Sequence, residues 1–126
     1  MNLAGSTRNS ARVALTIGVM GHRLDLNCWI LRWGSDEPQP GIVEACFIDA
    51  VGKSWMLLDK SAIFTAEAID GGSAYPRPGI LRCEVLERRL SASGGEIVRV
   101  RAIDAPMTEG GAEEFEVEGG LLTPPT

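Results

Sequence analysis

The residues with the widest chemical reach in this chain are one histidine, His22, and three cysteines, Cys28, Cys46 and Cys83. A general acid or base needs a titratable group held among partners that bring its pKa toward working pH, and histidine is the usual choice. His22 stands in a Gly21-His22-Arg23 turn and is read as a solvated loop residue. The cysteines are odd in number, far apart and each inside an apolar stretch. That pattern fits neither a disulfide framework nor structural zinc, whose ligands arrive in close pairs. Buried, inert thiols are expected instead, with no metal and no cofactor.

Four further patterns bear on chemistry or binding. Gly52-Lys53-Ser54 looks like the end of a phosphate-cradling loop, but that motif needs a glycine where this chain has Phe47, and a helix where it predicts a strand. Glu44, Asp49 and Asp59 could in principle form the paired carboxylates of a hydrolase. The hairpin predicted below separates them. The aromatic set Trp29, Trp33, Phe47, Trp55 and Phe64 could form a stacking platform or a ligand pocket. A domain with seven aromatics in all needs most of them inside. Trp33, beside Gly34 at a strand end, is the one expected to be partly exposed. Tyr75-Pro76-Arg77-Pro78-Gly79 is the best contact candidate, because Tyr and Arg are enriched at binding hot spots and flanking prolines reduce the ordering cost. A rigid connecting loop is the plainer reading of the same residues. The candidate binding residues are therefore Tyr75, Arg77, Trp33 and Trp29, and no catalytic residue is assigned.

The elements that must position them read as strands nearly throughout, with short alternating runs separated by Gly, Pro, Asp and Ser clusters. Arg12 to Met20 alternates, with Gly18 suggesting a bend. Leu26 to Trp33 is apolar on both sides, with Trp29, Leu31 and Trp33 on one face and Leu26, Cys28 and Ile30 on the other, as expected of a strand that is central or is covered outside by another segment. Gly34 to Gly41 is a loop. Ile42 to Asp49 and Lys53 to Leu58 form a hairpin through Ala50-Val51-Gly52, with Gly52 left-handed, Phe47 facing Trp55 and Ala45 facing Leu57. Lys60 to Thr65 is read as a short strand, and Ala66 to Ile69 as one helical turn or an irregular stretch. Ile80 to Arg89 returns through Ser93-Gly94-Gly95 to Glu96 to Ile103, with Cys83 opposite Ala102, Val85 opposite Val100, Glu84 opposite Arg101 and Arg89 opposite Glu96. Phe115 and Val117 alternate with glutamates, as in either an edge strand or an acidic tail.

Length and composition bound the rest. At 126 residues, 44% hydrophobic and 23% charged, the chain has the size of one soluble domain. Its apolar runs are too short to span a membrane as a helix. The net charge of −5 is uneven: +1 over 1–40, −1 over 41–104, and −5 over 105–126, which holds five glutamates and no basic residue. No basic stripe is visible, so nucleic acid is an unlikely main partner.

From residue 41 to 87, Phe47-Ile48-Asp49-Ala50, Trp55, Asp59-Lys60, Tyr75-Pro76-Arg77-Pro78-Gly79 and Cys83-Glu84-Val85 resemble short uncharacterised bacterial β-domain proteins. The resemblance implies a bacterial cytosolic setting and a small β domain, and carries no catalytic or binding residue with it.

The sequence thus predicts an all-β fold: a small antiparallel barrel, SH3-like or OB-like, of six to seven strands, with a compact β-sandwich as the alternative. Residues 1–11 are expected to be a flexible N-terminus, 12–104 the barrel, and 105–126 an acidic edge strand or tail. The location expected is cytoplasmic, since no apolar run of a secretory signal opens the chain. The expected function is a non-enzymatic protein-interaction module with another protein as partner, in one form an immunity or inhibitor protein whose acidic segment steers toward a basic surface. A small-ligand or single-stranded nucleic-acid-binding barrel is the alternative, and a homo-oligomer is compatible with either.

Overall fold

Sheet pairing organises the chain, and the computed structural model describes it over residues 22–37 and 41–125. The strand expected over Arg12 to Met20, its bend at Gly18 and the flexible stretch before it lie outside the described residues. The elements are β1 (Arg23–Ser35), β2 (Ile42–Ile48), β3 (Ser54–Lys60), a single helical turn α1 (Ser61–Phe64), β4 (Arg77–Leu90), β5 (Glu96–Ala102), β6 (Met107–Thr108), β7 (Glu114–Glu118) and β8 (Leu122–Thr123). They form one antiparallel sheet in the order β6-β3-β2-β1-β4-β5-β7, with β8 also on β1. β1 is central, as expected of a strand apolar on both faces.

The sheet is curled into a barrel-like shell, and its connectivity shows why. β6 and β7 lie at opposite edges of the sheet, yet only residues 109–113 separate them in sequence. Five residues span at most about 18 Å, so the edges must approach each other. Between them the backbone N–H of Ala50, in the β2–β3 turn, donates to the carbonyl of Glu116 at 2.8 Å. Phe115 of β7 meets Phe47 of β2 and Trp55 of β3 edge-on, at centroid distances of 5.1 and 5.0 Å. Around this trio pack Leu26, Ile30, Val43, Leu57, Leu81, Val85, Val98, Val100 and Val117, all fully buried, while Phe64 of α1 is buried against them from one end. Gly79 makes that possible: a Cβ there would lie 2.8 Å from Ile30 Cγ1 and 3.2 Å from the Phe64 carbonyl.

Both expected hairpins form. In β2–β3, Phe47 pairs with Trp55 and Ala45 with Leu57, and Gly52 takes φ 87°. Asp49 Oδ1 accepts the N–H groups of Val51 and Lys53, and its Oδ2 accepts Trp55 Nε1–H at 2.9 Å. In β4–β5, Cys83 pairs with Ala102, Glu84 with Arg101 and Val85 with Val100.

Three expectations need correction. The ladder slips by one residue between Val85 and Glu87, so Arg89 lies opposite Ile97 rather than Glu96. A bulge at Leu86 lets Val85 and Leu86 both be buried. In β1 a similar slip falls between Ile30 and Arg32. It turns Trp33 to pair with core-facing Val43, so Trp29 and Trp33 do not share a face. Lys60 to Thr65 is a strand end and a helical turn, not a further strand, and Ala66 to Ile69 is irregular. Of the two readings of 105–126, the structure has the edge strand: β7 ends the sheet, and β8 pairs with β1.

The outer face of β4, β5 and β7 is a charged ladder. Arg101 bridges Glu84 and Glu114, Arg99 bridges Glu87 and Glu114, and Arg89 meets Glu116; past the bulge Arg88 pairs with Glu96 on the opposite face, the one that carries Val98. Each exposed pair contributes at most about 1 kcal/mol, but together they fix β7 on β5.

Two outcomes follow from this architecture. Phe115→Ala removes the ring that joins both edges and should cost about 3–5 kcal/mol, read as a lower denaturant midpoint, whereas Val51→Ser at the exposed hairpin tip should stay within about 0.5 kcal/mol. Acid should also weaken the fold. For Asp49 desolvation acts upward, but the hydrogen bonds from Trp55, Lys53 and Val51 and the Lys53 charge outweigh it and hold the carboxyl below its ordinary value. Glu114 is lowered chiefly by its hydrogen bond from Arg101, with Arg99 adding to it against a smaller desolvation effect. Carboxyls lowered on folding stabilise fully above the unfolded pKa of about 4 and lose that contribution as pH falls through the folded values. Tm measured from neutral to strongly acid pH should therefore drop below about pH 4, and Asp49→Asn should flatten that drop.

Candidate functional site

The most promising site arises where β1 changes partners. Along one edge, β1 pairs with β8 at Asp25 and Leu26 and with β2 from Trp29 onward. Asn27 and Cys28 between them have no ladder partner on that side, and Asn27 Nδ2 instead donates to the Leu121 carbonyl at 3.0 Å. The break opens a cleft of about 400 Å³. Trp29, Cys46, Ile48, Pro78 and Leu121 wall it, with Cys28, Phe47 and Gly79 reaching it from the core side. The lining is mainly apolar, with the Asn27 amide as a polar handle.

The cleft opens onto an apolar outer face. Strand register places Trp29, Cys46 and Met56 in one outward row across β1, β2 and β3, and Arg32, Glu44, Leu58 and Met107 in the next across β1, β2, β3 and β6. Ile48 continues the face beside Cys46. Trp29 is 52% exposed, Ile48 58% and Met107 69%, and Met56 and Leu58 are also open to solvent. Among the described residues, one ion pair stands on this face, joining Arg32 Nε to Glu44 Oε1 at 3.0 Å.

Of the candidate residues, Trp29 alone lines the cleft. Trp33 is half-buried against the core, with its Nε1–H donating to Asp36 at 2.7 Å; the bulge before it, invisible to simple alternation, reverses which tryptophan is exposed. Tyr75 and Arg77 are used within their own loop. The Tyr75 hydroxyl donates to the Asp70 carbonyl at 2.6 Å, and Arg77 pairs with Glu67 at 2.6 Å. Arg77 is already β4, opposite Ile30. Met56, Ile48 and Met107 were missed by sequence reasoning. For Ile48 and Met56 the signal available was their outward phase in the predicted β2–β3 hairpin, opposite to Phe47 and Leu57; Met107 lies on the two-residue β6, which no alternation marks.

His22 is exposed, and its carbonyl accepts the Val85 N–H. Glu44, Asp49 and Asp59 remain apart, engaged respectively with Arg32, the hairpin turn and the Lys60 N–H. Among the described residues no group of three or more His, Cys, Asp and Glu is placed to hold a metal. Asp25, buried on β1, has one carboxylate oxygen without a hydrogen-bond partner among the described residues, and it does not line the cleft. A second hollow of about 370 Å³ lies between Ser91, Ser93, Glu96, Glu118 and Gly120; Glu96 there is already paired with Arg88.

Fold and site together define a small all-β, barrel-like protein with one charged flank, one apolar flank and a shallow cleft on the apolar side. Comparison with known protein families, curated proteins and solved structures finds no match.

The cysteines differ in a testable way. Burial pushes the Cys28 thiol up to about 12, with Cys46 adding to it, and burial likewise pushes Cys83 to about 12, with Asp25 contributing next. Cys46 is half-buried and raised by desolvation. An aromatic disulfide reagent at mildly alkaline pH should modify Cys46 first in the native protein, with Cys28 and Cys83 reacting only after denaturant is added. Peptide mapping of the labelled protein checks the order.

Proposed function

We propose that this chain is a non-catalytic binding module that recognises another protein through the apolar outer face of β1, β2, β3 and β6, with Trp29 and the cleft beside it as the anchor. One observation carries the reading: the contrast between the two flanks. On β4, β5 and β7 every charged side chain but Glu118 has an ion-pair partner within the chain, whereas the opposite flank leaves a tryptophan, two methionines and two aliphatic side chains open to water. Contiguous apolar surface rimmed by polar groups marks interaction sites. Tryptophan supplies large contact area at low conformational cost.

The acidic segment supports the immunity-type form of this reading less than its composition implies. Glu114 and Glu116 are held by Arg99, Arg101 and Arg89, and Glu109 pairs with Lys53 at 3.6 Å. Steering by that segment is correspondingly weakened.

A second reading, a small apolar ligand in the cleft, is favoured by the cleft's volume and lining. Its nucleic-acid form finds no support, because Arg88, Arg89, Arg99 and Arg101 are committed to glutamates.

Immobilised protein exposed to extract of its source cell should retain a partner in fixed ratio, keep it in raised salt, and lose it on Trp29→Ala. The absence of such a partner, or one indifferent to Trp29→Ala and Met56→Lys, overturns the reading. Saturable quenching of tryptophan emission by an apolar metabolite, abolished by Trp29→Phe, would favour the ligand reading instead.

A further inference from the structure

The cleft beside Trp29 is an opened β-ladder, and we propose that it takes up a short extended stretch of polypeptide, uncharged and apolar, carried at the tip of a loop of the partner protein. The proposal rests on the binding-module reading and names what that site recognises, which is backbone as well as side chain.

Strand phase decides which backbone groups face the cleft. In an antiparallel ladder the N–H and C=O of successive residues point to alternate sides. The His22 carbonyl accepts the Val85 N–H of β4 at 2.7 Å, and the β1–β4 register runs unbroken from Arg23 to Ile30. Even-numbered residues of that stretch therefore turn toward β4. Asn27 turns its N–H and C=O the other way, toward β8 and β2. On β2 the Asp49 N–H donates to the Lys53 carbonyl at 2.8 Å, and the β2–β3 register is unbroken from Ile42 to Ile48. Odd-numbered residues there turn toward β3, and Ile48 turns its own N–H and C=O toward β1. Continued past the Trp29–Cys46 pair, the ladder would set Asn27 against Ile48. It stops short, and both residues line the cleft instead. Among the described residues neither has a backbone partner on that side.

These four groups select the occupant. A hydrocarbon would strip them of water and offer no hydrogen bond in exchange, which is costly. An extended peptide satisfies them, because one of its residues can pair with Asn27 while the next turns to Ile48. Since β1 and β2 are antiparallel, the inserted stretch runs antiparallel to one and parallel to the other, and a sheet admits both pairings. The flanking ladders set its length. β8 holds β1 as far as Leu26 and β2 holds it from Trp29, about 10 Å apart along the strand. Two residues fit there, and closure at both ends calls for a loop tip rather than a passing strand. The lining sets its charge. No Asp, Glu, Lys, Arg or His lines the cleft, and burial favours the neutral thiols of Cys28 and Cys46. Nothing there offsets the desolvation of an ion, so a charged chain terminus is disfavoured. The residue opposite Asn27 shares its outward phase and lies beside the exposed Trp29 and Ile48, which suits a large apolar side chain. Its neighbour points toward Cys28, Phe47 and Gly79 on the core side and must be small.

Titration of the isotope-labelled whole chain with the blocked tripeptide acetyl-alanyl-leucyl-alanine amide, followed by NMR, tests this. The amide protons of Asn27 and Ile48 should move downfield and saturate, while those of β5 and β7 stay in place. Methylating the leucyl nitrogen removes the donor that reaches the Asn27 carbonyl and should weaken binding about threefold or more. No saturable response at Asn27 and Ile48, or equal binding by the methylated peptide, overturns the proposal. The partner retained on the immobilised protein separates this from the reading beneath it. A Trp29-dependent partner that the tripeptide displaces supports both. A Trp29-dependent partner that saturating tripeptide leaves in place keeps the binding module and overturns the loop tip. Tripeptide binding with no partner retained overturns the partner protein as the source of the peptide, and the absence of both responses overturns both readings.

Discussion

Phe115 holds the two ends of the sheet together. It sits on β7 at one edge and packs edge-on against Phe47 and Trp55, which belong to the other half of the sheet. The short link from β6 to β7 and the Ala50–Glu116 hydrogen bond secure the same junction. Without that closure the inward faces of β2, β3 and β5 would lie open, and Val98, Val100 and Val117 would have nothing to pack on. Burial of apolar surface drives folding, and in a sheet this size only curling gives every inward side chain a neighbour.

Closure also divides the exterior. β7 must stay against β5, and the glutamates of β7 are fastened to arginines of β5 and β4. The segment that dominates the net charge is therefore part of the structure's own lattice of ion pairs. The opposite flank has no such role in closure. There the strands present Trp29, Ile48, Met56, Leu58 and Met107 outward, and the interruption between β8 and β2 along β1 adds a cleft. The proposed binding role falls on this flank because no contact within the described structure accounts for those side chains.

Much of the framework was legible. The β2–β3 register followed from a turn with one left-handed glycine plus alternation on both arms, and the first half of β4–β5 followed from matching Val85 to Val100 and Glu84 to Arg101. These are local problems, since hairpin pairing is fixed by its turn and by which face is buried. The candidate site was less legible. Trp29 was among the residues singled out, but Trp33 was ranked as the more exposed, and Tyr75 and Arg77 turned out to be occupied within their own loop. One inserted residue at Leu31 reverses the facing of everything after it, and an insertion of that kind leaves no mark in an alternating pattern that is apolar on both sides.

From the amino-acid order alone came the strand-rich class, the hairpins, the central position of β1 and the burial of Cys28 and Cys83, though not the outward, half-buried place of Cys46, because alternation and turn residues act between neighbours in the chain. Only the folded shell decided which tryptophan faces water, where the glutamates of residues 105–126 find their partners, and that an open apolar flank exists at all. Those features depend on contacts between strands such as β7 and β4, or β6 and β3, that are dozens of residues apart, and on bulges whose position is set by what the curled sheet can bury.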